Sequence, residues 1–253
     1  MCFINTSRLL EVSTEMIVSH KNKFIFFKPL KVAGTSIEAL LSHSTGPIDL
    51  VTGSSYEYDI AEGFNQKNNI DTNAIGFKSL KFHSHTYPEM LYKKTNSKWE
   101  DYYKITAVRN PWDVCVSYYW WCMSEKNLPC KILESDGKHD YLRKFRMWLL
   151  SPISIDMFES RSEVYPSMIS FLSKTNQLYL TEDIDYTIKF ENLNIDIDEV
   201  FLNLGISKKN KIKKFKSHTR DNNHNYSYYY DNLTASAVYR EFEKTISKFN
   251  YKF

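Results

Sequence analysis

The sequence predicts an α/β fold in which a central parallel sheet is flanked by helices, and three short strand-like runs carry that prediction. The runs are residues 24–27, 105–108 and 187–190, and the first two lead directly into helix signals. A short, wholly apolar run such as 24–27 is typical of a strand buried on both faces of a parallel sheet. Because ligands bind at the carboxyl ends of such strands, the residues after each run are candidate site residues. We assign all of residues 1–253 to this single domain.

The first run, Phe24–Phe27, is wholly apolar and ends before Pro29. Ile37, Leu40 and Leu41 then follow at helical spacing, so the helix begins near Gly34. The residues between strand and helix, Lys31 to Ser36, form the 31–36 turn. The first N–H groups of a helix lack intrahelical partners and lie at its positive end, so this turn is a candidate anion site.

Each residue type in the 31–36 turn suits an anion. Gly34 lets the backbone approach a ligand, Thr35 and Ser36 add hydroxyl donors, and Lys31 adds a positive charge. The turn is not a Walker loop, because its lysine precedes the glycine and no Lys-Ser/Thr pair follows it. An ordinary strand-to-helix turn capped by Thr or Ser fits the same pattern.

The second run, residues 105–108, places Arg109 at a strand end. Asn110 is a favourable N-cap and Pro111 suits the first helical position. Ser117 follows about two turns later on the same helix face, where it and the planar fork of Arg109 suit a phosphate. The alternative is a surface ion pair at Arg109 and a neutral helix residue at Ser117.

Two histidines lie just before a predicted helix. Thr86 and Glu89 have the spacing of a capping box, which predicts a helix beginning just after His85. An imidazole at His83 or His85 has the pKa range needed to accept a proton from a hydroxyl near neutral pH. Histidines that bind backbone at a helix start give the same pattern.

Four motifs, in order, resemble those of the carbohydrate sulfotransferases. Lys31-x-Ala33-Gly34-Thr35-Ser36 resembles their 5′-phosphosulfate loop, and Arg109-Asn110-Pro111-x-Asp113 followed by Ser117 resembles their 3′-phosphate site. Residues 190–193, Phe-Glu-Asn-Leu, and the aromatic tail to Phe253 also resemble the family pattern. The resemblance covers nearly the whole chain from Met16.

The resemblance implies a P-loop NTPase-like sulfotransferase fold and an enzyme that uses 3′-phosphoadenosine 5′-phosphosulfate (PAPS) as co-substrate without a metal. The implied acceptor is a hydroxyl of a glycan or glycoconjugate. In the similar uronyl 2-O-sulfotransferases a His-x-His stretch holds the base, which favours His85 over His83. The donor-binding residues that it implies are Lys31, Ala33, Gly34, Thr35, Ser36, Arg109, Ser117 and Arg220, with Lys31 also catalytic.

Charge, apolar segments and cysteine spacing limit the partners and the cellular compartment that the sequence predicts. The net charge of +3, from 33 basic and 30 acidic residues, is too balanced to indicate nucleic acid. The sequence shows no apolar run of membrane-spanning length and no signal peptide, so we expect a cytoplasmic protein, or a Golgi-lumen one if the chain is cut from an anchored protein. The four cysteines have neither zinc-site nor disulfide-framework spacing.

Two other functions fit parts of the sequence. A nucleotide kinase would use the same type of sheet, although the Gly-Lys-Ser/Thr of its loop is missing. A non-enzymatic polyanion-binding module would use the lysine run at 208–216. Aromatic residues beside cations at 118–121 and 141–150 suit sugar rings, but they equally suit a helix core. We place part of the acceptor cleft in the irregular region 42–79.

Overall fold

A computed structural model describes residues 16–47, 49–51, 64–65, 86–124, 141–155, 163–213 and 224–253. The chain forms two compact units, here called the sheet unit (described residues within 16–109 and 178–213) and the helical unit (within 110–177 and 224–253). In chain order the elements are β1 Met16–Ser19, β2 Phe24–Phe27, α1 Gly34–Ser42, β3 Leu50–Val51, β4 Phe64–Asn65, α2 Pro88–Thr95, β5 Tyr103–Val108, α3 Pro111–Ser124, α4 Tyr141–Leu150, β6 Ile153–Ile155, β7 Glu163–Tyr165, α5 Met168–Gln177, β8 Tyr186–Lys189, α6 Leu193–Asn203, α7 Asn232–Glu241 and α8 Glu243–Phe249.

The sheet unit contains a six-stranded sheet in the order β4-β3-β1-β2-β5-β8. The pairs β2–β5, β5–β8 and β3–β4 are parallel, whereas β1 is antiparallel to both β2 and β3. Five strands therefore run in one direction and β1 alone runs in the other. The mixed α/β class with a mostly parallel sheet flanked by helices is confirmed, and the antiparallel strand β1 is the departure from the predicted parallel sheet.

The three predicted strands are present and adjacent. They are β2, β5 and β8, and their parallel pairing brings their carboxyl ends to one edge of the sheet. Strands β1, β3 and β4 complete the sheet on the other side of β2. Strands β3 and β4 lie within the region 42–79 that the sequence analysis treated as irregular.

Side chains of β2 alternate between the two faces of the sheet. Phe24 and Phe26 pack with residues of α1 and α6, whereas Ile25 and Phe27 pack with Leu91 of α2. All four β2 side chains are fully buried. A strand with both faces covered has no polar face to offer solvent, which is why this run shows no alternation of polar residues. Burying each such side chain contributes about 1.5–3 kcal/mol.

A buried carboxylate holds the edge of the sheet where β2 begins. Asp49 accepts hydrogen bonds from the Ser19 hydroxyl (2.5 Å) and from the amides of His20 (2.8 Å), Lys21 (3.1 Å) and Gly46 (2.8 Å). These donors come from the last residue of β1, from the β1–β2 turn and from the segment after α1. Asp49 therefore joins two loops at the edge opposite the 31–36 turn.

The helical unit has an aromatic core. Tyr118, Tyr119 and Trp148 are buried, and the rings of both tyrosines contact the ring of Trp148. Arg146 donates to the Tyr229 carbonyl (3.1 Å), so its guanidinium supports the fold of this unit. The burial of Tyr118, Tyr119 and Trp148 supports the helix-core interpretation for these three side chains.

The apolar residues Ala235, Val238, Phe242, Ile246 and Phe249 form a stripe at helical spacing that predicts one C-terminal helix, but in the structure the stripe spans two helices. The chain leaves helical geometry at Phe242, which lies between α7 and α8. Val238, Phe242 and Ile246 are buried as the stripe predicts.

Cys115 and Cys122 are buried as thiols on α3. Burial raises the pKa of the Cys115 thiol to about 12. Within the described ranges, no helix is long and apolar enough to cross a bilayer.

Candidate functional site: the turn between β2 and α1

The 31–36 turn has an unusual backbone at two positions. Lys31 and Ala33 adopt left-handed conformations, with φ of 60° and 61°. Ala33 is the N-cap of α1 and makes no side-chain capping bond. Helix α1 begins at Gly34 as predicted, but the Thr or Ser cap of an ordinary turn is absent here. Non-glycine residues in this region cost free energy, and such strain is concentrated at functional sites.

The first turn of α1 has two amides, those of Gly34 and Thr35, that could donate to a ligand. Ser36 and Ile37 donate their amides to the Ala33 carbonyl, at 2.9 and 3.2 Å. Among the described residues, none accepts a hydrogen bond from the amides of Gly34 and Thr35. These donors lie at the positive end of a nine-residue helix, which is the arrangement that suits an anionic ligand.

A lysine that the sequence analysis passed over lies beneath this turn. Lys28 is 6% exposed, and its Nζ lies 2.9 Å from Thr35 Oγ1 and 3.4 Å from Glu38 Oε2. Glu38 is fully buried in α1. The signal in the sequence was Glu38, a charged residue between the apolar residues Ile37 and Ala39 of the predicted helix. A buried charge is costly unless a charge of opposite sign lies beside it, so a buried Glu38 predicts a cation nearby.

Gly34 makes room for Lys28. A Cβ built on Gly34 would lie 2.2 Å from Cγ, 2.6 Å from Cε and 2.7 Å from Cδ of Lys28. The sequence analysis explained this glycine by the approach of a ligand to the backbone. In the structure the lysine stem occupies the space that the missing side chain leaves.

Replacing Gly34 by alanine should therefore destabilise the sheet unit. We expect a loss of about 1–3 kcal/mol in the free energy of unfolding, because the overpacked Lys28 stem has to move. Denaturant titration measures this loss. In a Lys28→Ala background the same Gly34→Ala change should cost nothing further, and an equal loss there would show that Lys28 is not the cause.

Arg109 reaches the 31–36 turn from the neighbouring strand. Its Nη1 donates to the Lys31 carbonyl at 3.0 Å, and its guanidinium lies 3.9 Å from the centre of the Phe190 ring. Arg109 follows β5 and Phe190 follows β8, so residues from three strand ends meet at one edge. The structure thus brings together two of the sequence motifs, 78 residues apart, and the start of a third.

Asn110 and Pro111 begin α3 as the sequence predicts. The Asn110 Oδ1 accepts from the Trp112 amide at 3.1 Å, and Pro111 is the first residue of the helix. The Asn110 Nδ2 also donates to the Lys252 carbonyl at 3.0 Å, which fixes the C-terminal residues of the helical unit. Ser117 lies in the second turn of α3 and is partly exposed.

No protein-family model and no curated protein matches this chain. The assignment of function therefore depends on the residues and their geometry.

Three of the predicted site residues, His83, His85 and Arg220, are outside the described residues. Helix α2 begins at Pro88 with Tyr87 as N-cap, so the predicted capping box starting at Thr86 is wrong. Glu191, in the 3₁₀ turn after β8, is exposed. In the described ranges, no three His, Cys, Asp or Glu side chains are grouped as metal ligands.

Proposed function

We propose that this protein is a sulfotransferase that moves the sulfuryl group of PAPS to a hydroxyl of a carbohydrate-type acceptor. The observation that carries the proposal is the hydrogen bond from Arg109 to the Lys31 carbonyl. It joins the motif that resembles a 5′-phosphosulfate loop to the motif that resembles a 3′-phosphate site. Both lie at the carboxyl edge of parallel strands, where ligands bind in open α/β sheets.

The groups at this edge fit a nucleotide with two anionic ends. The amides of Gly34 and Thr35 and the Thr35 hydroxyl offer donors to a 5′-phosphosulfate, and the partly exposed Lys31 adds a positive charge. Arg109 has one nitrogen committed to the turn and keeps the planar geometry that suits phosphate oxygens. Its contact with the turn fixes the spacing between the two anion-binding groups.

PAPS supplies the sulfuryl group: the acceptor oxygen forms the new O–S bond, and the bond from sulfur to the bridging oxygen of the 5′-phosphate breaks. Lys31 and the α1 amides stabilise the charge that develops on that phosphate oxygen. In our proposal His85, or His83, takes the proton from the acceptor hydroxyl. The products are a sulfate ester and adenosine 3′,5′-bisphosphate.

Calorimetric titration with adenosine 3′,5′-bisphosphate in EDTA tests the donor site. We expect saturable binding by the wild type, and binding about 10- to 100-fold weaker in Arg109→Ala, because a hydrogen bond to a charged group contributes about 1.5–3 kcal/mol. Arg240→Ala removes an exposed cation from α7 and should bind like the wild type.

The outcomes separate the three functions. A strict requirement for Mg²⁺ would favour the nucleotide kinase. A folded wild type that binds no nucleotide, yet binds heparin in a strongly salt-dependent manner, would favour the polyanion-binding module. Metal-independent binding followed by PAPS consumption with a hydroxylated glycan would support the sulfotransferase.

A further inference from the structure

We infer that Lys28 is a positioning residue that orients the Thr35 hydroxyl toward the 5′ group of the bound nucleotide. The inference rests on the proposed function, because it names a residue that serves the same donor site. It concerns a side chain outside the sequence motif.

The Lys28 ammonium is held in one place. Its stem fills the space beside Gly34, with the nearest stem atom 2.2 Å from where a Cβ would lie. Its Nζ is placed between Thr35 Oγ1 and Glu38 Oε2. The side chain is 7% exposed and that of Glu38 is fully buried. A lysine so enclosed has few other rotamers, so its hydrogen bonds keep their direction.

The direction of the bond to Thr35 follows from the chemistry of the two groups. An ammonium has three donors and no acceptor, so in the 2.9 Å contact Lys28 donates and Thr35 Oγ1 accepts. The hydroxyl hydrogen must then point to another acceptor. Thr35 is partly exposed in the first turn of α1, beside the amides of Gly34 and Thr35, which have no acceptor in the part of the chain that the structure describes. Its hydroxyl thus becomes a third donor at the start of the helix.

Glu38 limits the contribution of the Lys28 charge to ligand binding. Its carboxylate lies 3.4 Å from the Lys28 Nζ and balances that charge within the buried layer beneath the turn. Lys28 therefore acts on the ligand mainly through the orientation of a hydroxyl, and in our proposal the partly exposed charge beside the 5′ group is that of Lys31. This division predicts that Lys28 affects only ligands that carry a 5′ group.

The test compares two nucleotides on variants of Lys28 and Thr35. Lys28→Met keeps most of the stem volume and removes the donor, and Lys28→Met with Glu38→Gln also removes the buried charge left behind. We expect each to bind adenosine 3′,5′-bisphosphate about threefold to tenfold more weakly than the wild type, the effect of one hydrogen bond. Binding of adenosine 3′-phosphate, which lacks the 5′ group, should be unchanged.

Two variants of Thr35 provide matched backgrounds for the Lys28 substitutions. In Thr35→Val the Lys28 substitutions should have no further effect on affinity, whereas in Thr35→Ser, which keeps the hydroxyl, their effect should return. An equal loss in the Thr35→Val background, or an equal loss for both nucleotides, would overturn the role of Lys28 and leave the donor site intact. A wild type that binds neither nucleotide would overturn the proposed function, and this inference with it.

Discussion

Lys31→Ala should lower the turnover number for sulfuryl transfer by about 10²- to 10³-fold, the usual cost of removing one group that stabilises developing charge. The free energy of unfolding should change little. The Lys31 side chain is partly exposed, and the hydrogen bond from Arg109 goes to its backbone carbonyl, which alanine retains. Alanine also tolerates the left-handed backbone about as well as lysine does. Steady-state kinetics and denaturant titration on the same preparation separate the two effects.

Lys23 provides a closely matched control. It too adopts a left-handed backbone, with φ of 53°, and its Nζ forms an exposed ion pair with Asp101 at 3.1 Å. Lys23 lies immediately before β2, at the edge opposite the 31–36 turn. Lys23→Ala should leave turnover unchanged. Comparable losses of turnover and stability in Lys31→Ala would remove Lys31 from the chemistry and make it a structural residue.

The parts of the fold that the sequence predicts are those with local signals. Strand β2 and helix α1 were predictable because an apolar run gives way to helical spacing within a few residues. The antiparallel direction of β1 has a weaker signal in the sequence, namely the length of its connection to β2. Only four residues, 20–23, join it to β2, too few for the crossover that a parallel pair needs.

In the candidate site, too, the features with local sequence signals were predictable, and the contacts of Lys28 were not. The position of the 31–36 turn and of Arg109 followed from strand ends, and their contact followed from parallel pairing. The pairing of Lys28 with Glu38 was not predicted, because the two residues are ten positions apart and meet only when α1 folds back along β2. The contact between Gly34 and Lys28 was missed for the same reason, since the atoms that Gly34 accommodates come from Lys28.

Asp49→Ala should lower the free energy of unfolding strongly, in contrast to Lys31→Ala, which should change turnover. The carboxylate is fully buried and accepts from one hydroxyl and three amides, so alanine would leave those donors without their acceptor. We expect a loss of about 3–5 kcal/mol in the free energy of unfolding, measured by denaturant titration. Asp49→Asn should lose less, because its one carbonyl oxygen still accepts while its amide group faces donors.

The effect of Asp49 on function should be small in the protein that remains folded. Asp49 joins loops at the edge where β2 begins, whereas the donor site lies where β2 ends, so the two sites share no side-chain contact in the structure's described residues. The affinity of folded Asp49→Ala for adenosine 3′,5′-bisphosphate should therefore match that of the wild type. Asp101→Ala, which removes an exposed carboxylate at the same edge, should leave both quantities nearly unchanged. A weakened affinity in Asp49→Ala would instead mean that the 31–36 turn depends on the whole sheet, and that stability and donor binding cannot be separated by position along β2.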